Sequence, residues 1–184
     1  MQSLSRLISA FTPLCPQEET DRAIMLSLLS GSGNLLLRDT LPAHFTASGL
    51  VVNPARTETV FAYHRIYDSY AWLGGHADGE ADLLAVARRE VQEESGLFAT
   101  PVQETPLSLE ILTVDGHIRR GVYVPSHLHL NLTFLFEADP AASLTIAPME
   151  NLSVRWFPLE DALRASTEPW MVEHVYRKLF SRLS

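Results

Sequence analysis

Apolar positions recur at helical intervals at both ends of the chain and alternate with a period of two through much of its middle. In SLSRLISAF, Leu4, Leu7, Ile8 and Phe11 follow one another at intervals of three, one and three, which places them on one helix face. A second helix is predicted in CPQEETDRAIMLSLLSGSG, where Pro16 and the acids after it suit a first turn and Gly31 and Gly33 stop it. Beyond about residue 40 the texture changes. Residues 44–53 (HFTASGLVVN) and 59–66 (TVFAYHRI) predict strands joined by the turn-rich NPARTE, and 70–75 (YAWLGG) predicts a short aromatic strand ending in two glycines. The clearest helix is predicted over 80–95, with Leu83, Leu84, Ala87 and Val91 as its apolar stripe. Asp78, Glu80 and Asp82 suit its positive end, and Gly96 is the expected stop. Strands follow at 107–116, 127–138 and 153–159, with 117–126 (HIRRGVYVPS) read as a loop, and the chain ends in helices at 159–165 and 168–183. Helices, a run of strands, one central helix, more strands and closing helices predict an α/β fold with a mixed sheet, rather than a regularly alternating parallel one.

Composition narrows this picture without changing it. A chain of 184 residues, 46% apolar and 20% charged, is long enough to bury a core without staples. One domain is expected over 41–184, preceded by a helical extension over 1–40 that packs on it or on a partner. Cys15 is the single cysteine, so no intrachain disulfide forms and a cytoplasmic home is expected; we read it as a small structural residue. No apolar run approaches the length of a membrane span, and a net charge of −8 argues against binding nucleic acid through its phosphates. A small phosphorylated ligand stays open if a metal ion mediates. The helical ends are compatible with a homodimer.

The candidate chemistry lies in RREVQEESG. Glu90, Glu93 and Glu94 fall within five positions, and on a helix they share one face, where like charges repel by roughly 0.2–0.5 kcal/mol per pair. A cation among them would remove that cost. Mg²⁺ takes oxygen ligands and commonly binds through a few carboxylates plus substrate phosphates. Gly74 and Gly75 let the backbone pass close to such an ion and offer the Gly74 carbonyl as a ligand. Arg89, four residues before Glu93, has the spacing to orient a carboxylate. A solvated acidic helix face is the plainer alternative.

The longer stretch GGHADGEADLLAVARREVQEESGL resembles the Nudix box: Gly, five residues, Glu, seven residues, Arg-Glu, an apolar residue, any residue, Glu-Glu, any residue, Gly, apolar. Gly75 fills its first position and residues 89–97 fill its end, but the first Glu of the box falls on Ala81, between Glu80 and Asp82. The resemblance implies an α/β/α sandwich with a mixed, partly curled sheet. It also implies Mg²⁺- or Mn²⁺-dependent hydrolysis of a diphosphate linkage in a nucleoside diphosphate derivative. In the family the missing Glu mainly anchors the box arginine, so its loss puts the anchoring of Arg89 in question, with Glu80 or Asp82 as substitutes. The metal would be held by Glu90, Glu93 and Glu94, and the water's proton accepted by Glu90 or by Glu150 in a loop outside the box, with Glu137 and Asp139 as rivals to Glu150. A non-catalytic nucleotide-binding module is the alternative; a diphosphate isomerase would need a core cysteine, which Cys15 does not supply.

Weaker candidates for substrate contact are His76 after the glycines, Arg119 and Arg120 with Tyr123 in 117–126, and the His127/His129 pair, which alternation puts on one sheet face. Each also has a bland reading as a loop or sheet-face residue. No pattern selects one nucleotide.

Overall fold

A computed structural model describes residues 2–64, 68–119, 121–147 and 151–183, without the side chains of Gln2, Ser3 and Arg119. Two helices, α1 (Gln2–Ala10) and α2 (Pro16–Leu29), precede β1 (Ala43–Val52), β2 (Glu58–His64), β3 (Ser69–Ala71) and β4 (Leu73–His76). Then come α3 (Leu83–Ser95), β5 (Thr100–Pro101), β6 (Ser108–Val114), β7 (His117–Arg119), β8 (Val122–Val124), β9 (His127–Glu137) and β10 (Asn151–Pro158). The chain closes with α4 (Leu159–Ala165), α5 (Pro169–Met171), a π-helical turn at Val172–Tyr176 and α6 (Arg177–Phe180). The main sheet runs β10-β2-β1-β9-β5, with β3 beside β2, β4 beside β1 and β6 beside β9. Among the described residues only β1 and β9 pair in parallel; the sheet is mixed and curled, and the fold is α/β.

Alternation along β1 explains the layers, because successive side chains point to opposite faces. Phe45, Ala47 and Val51 join one core with Val86 and Val91 of α3 and with Leu4, Ile8 and Met25 of the N-terminal helices. Gly49 on the same face leaves room for Val91: a Cβ there would run into the Val91 side chain and lie 3.2 Å from Phe136. Leu50 and Val52 on the other face join Leu135, Leu163, Tyr176 and Leu179 under the C-terminal helices. The N-terminal end of that second face is different. There His44, Thr46 and Ser48 are buried polar residues, in register with His129, Asn131 and Thr133 of β9.

Helix α2 is tied to the sheet by charge as well as packing. Glu18 is fully buried, accepts from Ser108 Oγ at 2.7 Å and Arg182 Nη1 at 2.6 Å, and lies 3.5 Å from Lys178 Nζ. Lys178 also reaches buried Glu110 at 2.9 Å. Cys15 precedes α2 and is half-buried.

Several local expectations need correction. The stretch 117–126 is a hairpin, β7 with β8, rather than a loop. The predicted strand over 70–75 divides, with β3 pairing β2 and β4 pairing β1. Helix α3 begins at Leu83, because Asp82 accepts from Ala85 N at 3.0 Å and caps it, while Asp78 pairs with Arg38 instead. The last predicted helix is broken by the π turn, and Val86 joins the stripe of α3.

Candidate active site

The N-terminal half of β1, β4 and the acidic face of α3 meet at a cavity of about 580 Å³. Leu83, Val86, Ala87 and Val91 seat α3 on the sheet, and this leaves Glu90, Glu93 and Glu94 along the cavity wall. Glycines permit the approach. Gly74 N donates to Glu94 Oε2 at 3.1 Å, and a Cβ on Gly74 would lie 2.5 Å from Ser48 Oγ. A Cβ on Gly75 would fall 2.5 Å from Glu90 Cδ, so the carboxylate occupies the space a side chain would fill. Glu94 is buried to 2% exposure, Glu90 is half-buried and Glu93 is exposed.

Arg89 is anchored differently from expectation. Its Nη2 donates to Glu90 Oε1 at 2.8 Å and to the His76 carbonyl at 3.3 Å. The hydrogen bond to Glu90 is the main influence holding its pKa above the ordinary value. Neither acid beside Ala81 takes the missing role: Glu80 accepts from Asp82 N at 2.8 Å, and Asp82 caps α3. Ala81 packs against the core.

The rest of the wall mixes polar and apolar groups. Arg38 and Asp78 pair at its edge, and Arg38's hydrogen bond to Asp78, outweighing partial burial, holds that carboxyl below its usual range. Asn131 accepts from Thr46 Oγ1 at 3.0 Å and Ser48 Oγ at 2.9 Å, and donates to Glu110 Oε2 at 3.3 Å and Thr133 Oγ1 at 3.1 Å. A buried amide satisfied on all sides fixes three strands relative to one another. Glu168, just before α5, also lines the cavity, and burial pushes its carboxyl up, partly offset by a hydrogen bond from Ser69.

Among the weaker candidates, His76 and His129 line the cavity, and His127 is buried beside His129 with their Nε2 atoms 3.3 Å apart. Arg119 lies on β7, but its side chain is outside the described residues, as are Arg120 and Glu150. Tyr123 is exposed on β8. Glu137 faces Arg56 at 3.4 Å and Asp139 accepts from Ala141 N at 2.9 Å, so both are engaged elsewhere. Asn131 and Glu168 were not found from sequence. A polar residue at every second position of HLHLNLT was a usable signal for Asn131; Glu168 carries none, because only the fold brings the C-terminal segment over the sheet.

The carboxylate set is all-oxygen and suits a hard divalent cation. The NUDIX domain model matches residues 43–179. The chain belongs to the Nudix family. Its fold is similar to that of a NUDIX-family hydrolase from Clostridium perfringens, at 20% identity over 74% of this chain and 95% of that one, with a TM-score of 0.51. It is similar to a C. elegans Ap4A hydrolase at 19% identity, 76% and 96% coverage and a TM-score of 0.51. It is also similar to the E. coli dihydroneopterin triphosphate pyrophosphohydrolase at 14% identity, 73% and 92% coverage and a TM-score of 0.55. Among curated protein sequences none matches this chain. Among the described residues no helix is long and apolar enough to cross a membrane.

Proposed function

We propose that the chain hydrolyses a diphosphate linkage in a nucleoside diphosphate derivative, with Mg²⁺ or Mn²⁺ held by Glu90, Glu93, Glu94 and the Gly74 carbonyl. The observation that carries this reading is the Gly75–Glu90 fit: a glycine cradles a carboxylate at the wall of a cavity that two further helix carboxylates line. A divalent ion bound there supplies positive charge to the diphosphate and lowers the pKa of the attacking water. Everything else is done by the chain. Glu94 is held by Gly74 N and Glu90 by Arg89, so neither carboxylate has to be ordered when substrate arrives. Arg89 is a positioning residue, bridging the strand carbonyl of His76 and the helix carboxylate. Glu90 is one acceptor for the water's proton; Glu150, outside the described residues, is the other. His76 and His129 face the substrate from the cavity wall, and Arg119 lies on the hairpin.

The test is turnover of a panel of nucleoside diphosphate sugars, dinucleoside polyphosphates and nucleoside triphosphates with Mg²⁺ and with Mn²⁺, following release of phosphate esters. Metal-dependent hydrolysis of at least one class is expected. Binding without turnover across the panel would replace the enzyme by a nucleotide-binding module.

A further inference from the structure

Five of the seven histidines in this chain gather at one end of the sheet. His44 comes from β1, and His127 and His129 from β9, where the parallel register sets His129 directly beside His44. One ring nitrogen from each of these three lies within 4.8 Å of the others. The ring centroids are 4.9 Å apart for His44 and His127, 5.0 Å for His44 and His129, and 5.1 Å for His127 and His129.

We propose that His44, His127 and His129 form a site for a Zn²⁺-class transition-metal ion, separate from the glutamate site and with a different ligand chemistry. Three observations carry it. First, His44 is 2% exposed and its Nε2 has no hydrogen-bond partner among the described residues, an omission that costs free energy in a buried site unless something binds there. Second, two of the three rings, His44 and His127, are held in the tautomer that ligation through Nε2 needs. Nδ1 of His44 lies 3.3 Å from the Thr40 carbonyl and Nδ1 of His127 lies 2.9 Å from the Pro125 carbonyl. A carbonyl only accepts, so each Nδ1 carries the proton and each Nε2 presents a lone pair; metal-ligating histidines are oriented by backbone carbonyls in this way. Third, His127 Nε2 and His129 Nε2 are 3.3 Å apart, and ligand nitrogens about 2.0–2.1 Å from a tetrahedral Zn²⁺ stand about 3.3 Å from one another. Without metal, His129 donates Nε2–H to His127; with metal, that proton moves to His129 Nδ1.

Imidazole nitrogen selects against Mg²⁺, which prefers oxygen, and suits Zn²⁺, Cu²⁺ or Ni²⁺. Burial and the neighbouring histidines push His129 down to about 2, and burial lowers His44, so both are neutral and able to ligate at neutral pH. Three protein ligands leave a fourth position for water or a substrate group, and His129 lines the cavity, which puts the ion at the substrate's edge.

The experiment titrates the chelator-treated full chain with Zn²⁺ in excess Mg²⁺, reading stoichiometry by calorimetry and geometry by the visible absorption of Co²⁺ in its place. One Zn²⁺ per chain is expected, with affinity falling at least about 100-fold in His127→Gln and in His129→Gln, and unchanged in Glu94→Gln. Each variant is first melted in chelator; should the buried His127→Gln not fold, the cavity-lining His129→Gln decides. No Zn²⁺ bound above Mg²⁺, or Zn²⁺ binding that survives the histidine substitutions, overturns the site. Zn²⁺ binding that disappears in Glu94→Gln assigns the ion to the glutamates and overturns it too, whereas loss of hydrolysis alone bears only on the proposed function.

Discussion

Gly75 and Glu90 occupy each other's space: the carboxylate of Glu90 stands where a β-carbon on residue 75 would be, with Glu90 Cδ only 2.5 Å from that point. Gly75→Ala is therefore expected to push Glu90 off the strand. Turnover should fall by at least about 100-fold, since mispositioning of about 1 Å at a reacting centre costs that much. Circular dichroism should show the fold retained. Activity within threefold of the parent would mean that Glu90 does not need this seat.

Glu94 tests the metal assignment most directly. Glu94→Gln keeps an acceptor oxygen for Gly74 N but removes the negative charge. Turnover is expected to drop by about 10²–10³-fold, together with weakened Mn²⁺ binding by calorimetry. Unaltered Mn²⁺ affinity would remove Glu94 from the ligand set.

Glu18 bears on stability rather than chemistry. Burial alone would raise its pKa, but hydrogen bonds from Arg182, Leu14 N and Ser108, with the charge of Lys178, outweigh it and leave the carboxyl below its ordinary value. Glu18→Gln takes the carboxylate partner from the largely buried Arg182, while Lys178 keeps Glu110. Breaking a buried pair costs about 3–5 kcal/mol, a Tm loss of roughly 6–20 °C for a chain this size. In the parent protein the Glu18 contribution is present above the ordinary glutamate range and is lost as pH falls through the lowered folded value. The gap between parent and variant should accordingly close in acid; a gap that holds to pH 3 would refute the coupling.

Glu168 has the opposite sign. Its carboxyl is raised by burial, so the folded state holds a proton that the unfolded state has lost, and stability falls as pH rises through that window. Glu168→Gln removes the penalty. The variant is expected to melt above the parent at pH 8 and level with it near pH 4; an equal Tm at both would show that Glu168 is solvated.

The chain's own sequence determined most of the architecture and the heart of the site. Strong alternation marked β1 and β9, the stripe of Leu83, Ala87 and Val91 marked α3, and fixed spacing marked the glycines and glutamates that the helix then brings together. These are short-range features: a helix turn or a two-residue alternation sets them, and local pattern reports local geometry. Only tertiary structure decided what depends on register between distant segments. Parallel pairing of β1 with β9 put His44 beside His129, 85 positions later in the chain. Packing of the C-terminal helices carried Glu168 over the cavity, and the rerouting of Arg89 to the His76 carbonyl depended on where β4 passes α3. Those contacts arise from how the sheet curls and which strands adjoin, which no window of neighbouring residues encodes.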